Sequence, residues 1–207
     1  MARRVDVYFS VMSPWAHLGN EPYLAVARKH GVETVWRPVP LGDLFAETGG
    51  LPLAKRAPER RRYRDVELAR WAEKRGRPLK LRPAHWPFLP ALADRAVIAI
   101  ADLGGDPSDF VVWAGRAVWE EDRDLASRET VAAVLSEAGL DAESTLARAE
   151  SAEVEAVYLE TVGAARAACV FGSPTYVLDG EAFWGQDRID LLDDALASGR
   201  KPYTPVE

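Results

Sequence analysis

The sequence predicts an α/β domain whose two halves are separated by a long helical block, and three stretches carry that reading. Residues 5–10 are rich in β-branched and aromatic side chains (Val5, Val7, Tyr8, Phe9) and read as a strand. Ser13-Pro14 follows as a helix start, because serine is a favoured N-cap and proline fits the first helical position. Near the other end, residues 175–178 and 181–184 flank Asp179-Gly180, a two-residue signal for a tight hairpin.

The elements then follow in order. The first helix is expected to run to about His30 and stop at Gly31, with a kink where Pro22 removes a backbone bond. Residues 33–39 read as a second strand ended by Pro40, completing a βαβ unit. From about 41 to 169 strand signals are scarce. Residues 57–75 carry Tyr63, Val66, Leu68 and Trp71 and end at Gly76 and Pro78. Residues 91–103 are apolar almost all round and predict a buried helix, and Phe110, Trp113, Ala114, Ala117 and Val118 sit at helical spacing in 108–119. Ser127, Asp141 and Ser151 are candidate caps of three further helices. After the hairpin, Asp187 is expected to cap a last helix reaching Gly199. Phe183 and Trp184 are expected in the core.

A chain of 207 residues suits one domain with an insertion or two small lobes. Hydrophobic residues make up 48% and charged residues 28%, a globular balance. The net charge of −6 argues against nucleic acid as a partner, since tracking phosphates needs a basic surface. A local basic cluster, Lys55, Arg56, Arg60, Arg61, Arg62 and Arg64, is either a solvated helix face or an anion site beside a pocket. Cys169 is the only cysteine, so no internal disulfide forms. Neither a secretory leader nor a membrane span is legible, and a cytoplasmic location is expected.

A βαβ unit followed later by ββα, with a Ser-Pro helix start after the first strand, is the thioredoxin layout. Residues 5–18, from Val5 to Leu18, resemble the opening of 2-hydroxychromene-2-carboxylate isomerases and kappa-class glutathione transferases. Residues 170–188, which include Gly172-Ser173-Pro174 and Trp184-Gly185-Gln186-Asp187-Arg188, resemble their C-terminal signature. Residues 62–72 and Gly76-Arg77-Pro78 resemble their middle segment. The resemblance implies an α/β, DsbA-like thioredoxin fold with a large all-helical insertion. Residues 1–40 plus 170–207 would form the thioredoxin-like domain and 41–169 the helical insertion. It also implies a cis bond before Pro174, next to the first helix, with the Ser173 backbone presented as an exposed edge.

Redox members of this fold carry Cys-x-x-Cys where this chain has Ser13, Pro14, Trp15 and Ala16, so thiol–disulfide exchange is excluded here. What remains is a hydroxyl on a helix N-terminus, which favours negative charge. On spacing alone Ser13 is a helix cap. The resemblance implies a catalytic role for it, stabilising the thiolate of glutathione or another low-molecular-weight thiol. Ser173, Pro174, Gln186, Asp187 and Arg60 are the implied ligand-binding residues. Lys55 and Arg56 are further candidates for a substrate carboxylate, and His17 is either a proton-transfer group or simply packed. The implied reaction is an isomerisation of an unsaturated aromatic pyruvate by reversible thiolate addition, in a homodimer. A thiol transferase acting on electrophiles and a non-enzymatic peptide-binding module are the alternatives. Two segments depart from the family pattern: Gly50 stands where an asparagine contacts glutathione, and Phe88, Leu89 and Pro90 replace a second asparagine region, making the pocket more apolar.

Overall fold

The computed structural model describes residues 3–204. Residues 1–2 and 205–207, the outer ends of the first and last expected segments, lie outside the described residues. Strand β1 (Arg4–Phe9) is joined through helix α1 (Pro14–His30) to β2 (Glu33–Pro38), and β1 and β2 pair in parallel. Strands β3 (Thr175–Leu178) and β4 (Glu181–Trp184) add antiparallel neighbours, giving one sheet of order β2-β1-β3-β4. The hairpin turn has positive φ at both Asp179 (52°) and Gly180 (86°), the conformation a two-residue loop between twisted strands demands. Gly31, at φ 61°, closes α1 by donating to the carbonyls of Ala27 and Arg28. Pro22 lies inside α1, which continues through it to His30.

Between β2 and β3 come α2 (Leu41–Thr48), a short 3-10 turn (Leu53–Lys55), α3 (Pro58–Arg75), α4 (Ala91–Asp102) and α5 (Ser108–Trp119). They are followed by α6 (Arg128–Glu137), α7 (Ala142–Ala149) and α8 (Ala152–Ala167). Ser127, Asp141 and Ser151 each cap the helix behind them, accepting from Thr130, from Glu143 and Ser144, and from Val154. After β4, a 3-10 turn (Gln186–Arg188) leads into α9 (Ile189–Ser198).

The strands' two-residue period divides the core. Val5, Val7 and Phe9 of β1, with Trp36, Tyr176 and Leu178, face a large cluster that includes α1, α4, α5 and α9. Tyr8 and Val177 point the other way, onto Leu41 and Leu44 of α2 and Val162 and Ala165 of α8. The sheet is therefore covered on both faces, and the β1–α1 junction is held between these layers.

Two expectations fail here. Asp187 does not cap α9: the chain turns helical three residues earlier than α9 itself, so Asp187 lies inside the 3-10 turn and pairs with Arg188 at 2.6 Å. Trp184 is not core. It is 53% exposed, because β4 is an edge strand whose alternation turns Phe183 inward and Trp184 outward.

Candidate active site at the tip of the first helix

Ser13 sits where β1 hands over to α1, with an extended backbone (φ −87°, ψ 119°) and 5% exposure. Its Oγ accepts from Ala16 N at 3.2 Å and donates to the carbonyl of Ser173 at 3.3 Å. Residues 160 positions apart in sequence thus meet at one hydroxyl. Ser173 Oγ also accepts from Ser10 N at 3.2 Å, which fastens the second segment to the end of β1. The Ser173–Pro174 peptide is cis and Pro174 is buried. In the first turn of α1, Pro14 has no N–H and Ala16 is capped by Ser13. Among the described residues, that leaves Trp15 N–H without a backbone partner at the positive end of the helix dipole. The Ser13–Ser173 bond is long for a hydroxyl donor, so turning this proton toward an incoming anion costs little.

Beneath this loop lies a carboxyl group that the sequence pattern hid. Asp94 of α4 is wholly buried. Its Oδ1 accepts from Val11 N at 2.9 Å, and its Oδ2 accepts from Ser10 Oγ at 2.9 Å and from Tyr158 of α8 at 3.0 Å. Ser10 Oγ in turn accepts from Met12 N at 3.3 Å. Burial pushes the Asp94 carboxyl up to about 7, against the pull of the three donors. The Tyr158 hydroxyl is raised as well, by burial first and then by Asp94.

The other expected residues divide. Gln186 is buried, with its side-chain oxygen taken by Arg75 Nε at 3.0 Å and its backbone carbonyl by Arg75 Nη2 at 2.9 Å. Asp187 is exposed on the surface of its turn. Arg60 and Lys55 are exposed on and before α3, and Arg56 donates to the Leu51 carbonyl. His17 is packed: its ring lies so close to Gly115 of α5 that a Cβ there would come within 2.8 Å of Nδ1. His17 Nε2 is 3.3 Å from Glu120 Oε1 but not aligned for a hydrogen bond. Two cavities, of about 350 and 480 Å³, lie along α1 near Arg75 and Arg77 and beside β4, and Ser13 lines neither.

Arg64, one turn beyond Arg60, is a partly buried member of the basic cluster. Its side chain is 10% exposed and its guanidinium lies 5.4 Å from the centre of the Trp86 ring. Trp86 Nε1 donates to the carbonyl of Met12, next to Ser13, at 3.2 Å. The carboxylate near Arg64 is Asp65, at 3.8 Å, and Arg82 already grips Asp65 at 3.0 and 2.5 Å. Burial pulls Arg64 down to about 10; Asp65 opposes this, while Arg56 and Arg82 add to it. Leu68, the next turn of α3, packs on Leu18 of α1 together with Trp15. The placement of Arg64 toward the N-terminal tip of α1 follows.

A family model described as a DSBA-like thioredoxin domain matches residues 4–197. The chain belongs to that family. A curated relative named 2-hydroxychromene-2-carboxylate isomerase, from Sphingobium xenophagum, is 27% identical over 198 residues, covering 95% of this chain and 99% of the relative. Glutathione S-transferase kappa 1 of Rattus norvegicus is 24% identical over 218 residues, covering 99% and 94%. The solved structure of a 2-hydroxychromene-2-carboxylate isomerase superposes with a TM-score of 0.79 at 27% identity, covering 94% of this chain and 95% of that one.

In this DSBA-like chain Gly50 has a local reason. A Cβ at Gly50 would come within 2.5 Å of the Phe45 ring, so no asparagine fits unless Phe45 moves. Leu89 is 83% exposed and lines no pocket described above, whereas Phe88 packs against the core. Phe171 and Trp184, both about half exposed, meet edge to face at 4.6 Å and flank the Ser173–Pro174 segment. Asp94 carried no sequence signal of its own: with Arg95 and Asp102 it is one of three charged residues in an otherwise apolar helix. Arg64 differed from its basic neighbours only in lying one turn before Leu68.

Proposed function

We propose that the chain is a glutathione-dependent isomerase that moves an unsaturated aromatic pyruvate between two geometries at the tip of α1. The observation that carries this reading is the meeting of Ser13 Oγ and the Ser173 carbonyl at 3.3 Å beside a first-turn N–H that the helix leaves open. The likeness to relatives named as an isomerase and as a glutathione transferase supports a thiol co-substrate. When bound, the thiol supplies a nucleophile whose reversible conjugate addition turns a double bond into a rotatable single bond.

The residues divide the remaining work. Ser13 turns its proton from Ser173 O toward sulfur, and Trp15 N–H and the α1 dipole add positive potential there. Together these lower the thiol pKa by about one or two units, each worth about 1.4 kcal/mol. The backbone of Ser173, freed of the Ser13 proton, is available to the peptide groups of the co-substrate. Asp187, exposed and one residue from Gln186, takes the ammonium in this reading, exchanging its pairing with Arg188 for it. Gln186 acts from behind, bonded to Arg75. Arg64 is better placed than Arg60 to take the substrate carboxylate, with the Trp86 ring beside the aromatic part.

Ser13→Ala tests the reading. The expected result is that the protein folds, loses about 1 kcal/mol of stability with its helix cap, and binds glutathione as the thiol rather than the thiolate. Thiolate absorbance of the bound form, followed against pH, should then shift upward by one to two units, while Ser13→Thr keeps the wild-type midpoint. An unchanged midpoint in Ser13→Ala sinks the proposal.

A further inference from the structure

Asp94 is a buried acid in the helical insertion, and the function above does not use it. Its partners define what it does. Val11 N–H and Ser10 Oγ both belong to the turn leading to Ser13, and Ser10 Oγ passes the hold on to Met12 N–H. One carboxyl group therefore orders two consecutive amides directly below the tip of α1. The third donor, Tyr158, comes from α8, so the group also ties α4 and α8 to the turn. An apolar side chain of similar size would leave three buried donors unanswered, which is why this position holds an acid at all.

The surroundings contain few charges. Tyr158 is the ionisable group in contact with Asp94, and Arg95 of α4 and Asp43 of α2 act on Tyr158. Among the described residues no cation balances the carboxylate directly; burial is the largest influence on it and raises its pKa to about 7.

We propose that Asp94 is the positioning residue of the Ser13 site: its carboxyl group holds the Val11 and Met12 amides in place, and it takes up a proton when a thiolate comes to rest on the tip of α1. This rests on the thiol-binding reading. The balance is simple. The thiol releases its proton to solvent on becoming a thiolate, the new negative charge makes ionised Asp94 less favourable, and Asp94 recovers part of a proton from solvent. Net release per bound thiol is then below one.

Calorimetric titration with glutathione, repeated in buffers of different ionisation enthalpy between pH 6 and 8.5, reads this directly. Asp94→Asn, which keeps an acceptor for Val11 N, is expected to release more protons than the wild type. For a coupling of one pKa unit the difference reaches about half a proton just above pH 7. Equal release at every pH overturns the proton uptake. Backbone amide shifts of Val11 and Met12, measured without any thiol, test the positioning separately: they should titrate together in the wild type and be flat in Asp94→Asn. Amides that do not titrate in the wild type overturn it. Should wild-type protein fail to bind glutathione, the thiol reading falls and takes the proton uptake with it, while the amide shifts still decide the positioning. Asp94→Ala should lose the ordered turn that Asp94→Asn retains.

Discussion

Replacing Asp94 by asparagine should make the folded protein more stable than the wild type at high pH, and the difference should vanish in acid. The carboxyl group is displaced from an ordinary value of 3.8 to about 7 in the fold. Between those values the folded chain holds a proton that the unfolded chain has lost. The unfolded state thus binds fewer protons, and stability falls as pH rises through this window. The slope approaches about 1.4 kcal/mol per pH unit, and about three units give roughly 4 kcal/mol by pH 8. Asparagine carries no charge to desolvate. Its oxygen can accept from Val11, and its amide can donate to the Ser10 and Tyr158 hydroxyls, which rotate to accept. Carboxylates lowered by their partners, such as Glu120 beside His17 and Arg77, Asp193 beside Lys29 and His30, or Glu181 beside Arg200, lose stabilisation only at acid pH. They are common to both proteins and cancel in the difference. Urea unfolding at fixed pH values from 4.5 to 8.5 measures it. The variant should gain on the wild type progressively up to about pH 7 and hold its lead above it. A difference independent of pH would refute the reasoning, because it would mean that Asp94 has the same proton affinity folded and unfolded.

Three further outcomes are expected. Tyr158→Phe removes one donor from Asp94 Oδ2 and should destabilise the protein by about 1–3 kcal/mol at pH 8, where the acid is ionised, and less at pH 5; denaturant titration at the two pH values checks it. Gly19→Ala places a Cβ 2.6 Å from the Tyr176 hydroxyl and 2.9 Å from Gln186 Cβ. The gain of about 0.5–1 kcal/mol in helix propensity is outweighed by about 1–3 kcal/mol of overpacking, so a net loss in unfolding free energy is expected. Gly50→Asn should destabilise the α2 region by pressing on the Phe45 ring. Glutathione affinity, measured calorimetrically, should improve only when Phe45→Ala accompanies it.

Local signals determine much of the architecture. Ser127, Asp141 and Ser151 cap their helices because capping needs only a side-chain oxygen and the amides two or three residues ahead. Asp179-Gly180 forms its turn because both residues tolerate positive φ, and Gly31 ends α1 for the same reason. Ser13 was legible as a cap, and its likeness to a known pattern gave it a partner in Ser173. Asp187 and Trp184 depart from the sequence expectation because a short-range rule meets a longer-range one, a 3-10 turn extending a helix backward and an edge strand opening to solvent.

Tertiary structure alone decided which polar groups are buried together. Asp94 lies 84 positions from Ser10 and 64 from Tyr158, and only the packing of α4 and α8 against the β1–α1 turn takes water away from all three at once. Arg64 reads like its basic neighbours until α3 docks along α1 and places it beneath Trp86. Caps, turns and periodicities are written in neighbouring residues because their physics acts over a few bonds. Desolvation, which sets the charge state of an acid or the strength of a cation, depends on everything that packs around the group, and no stretch of sequence contains that.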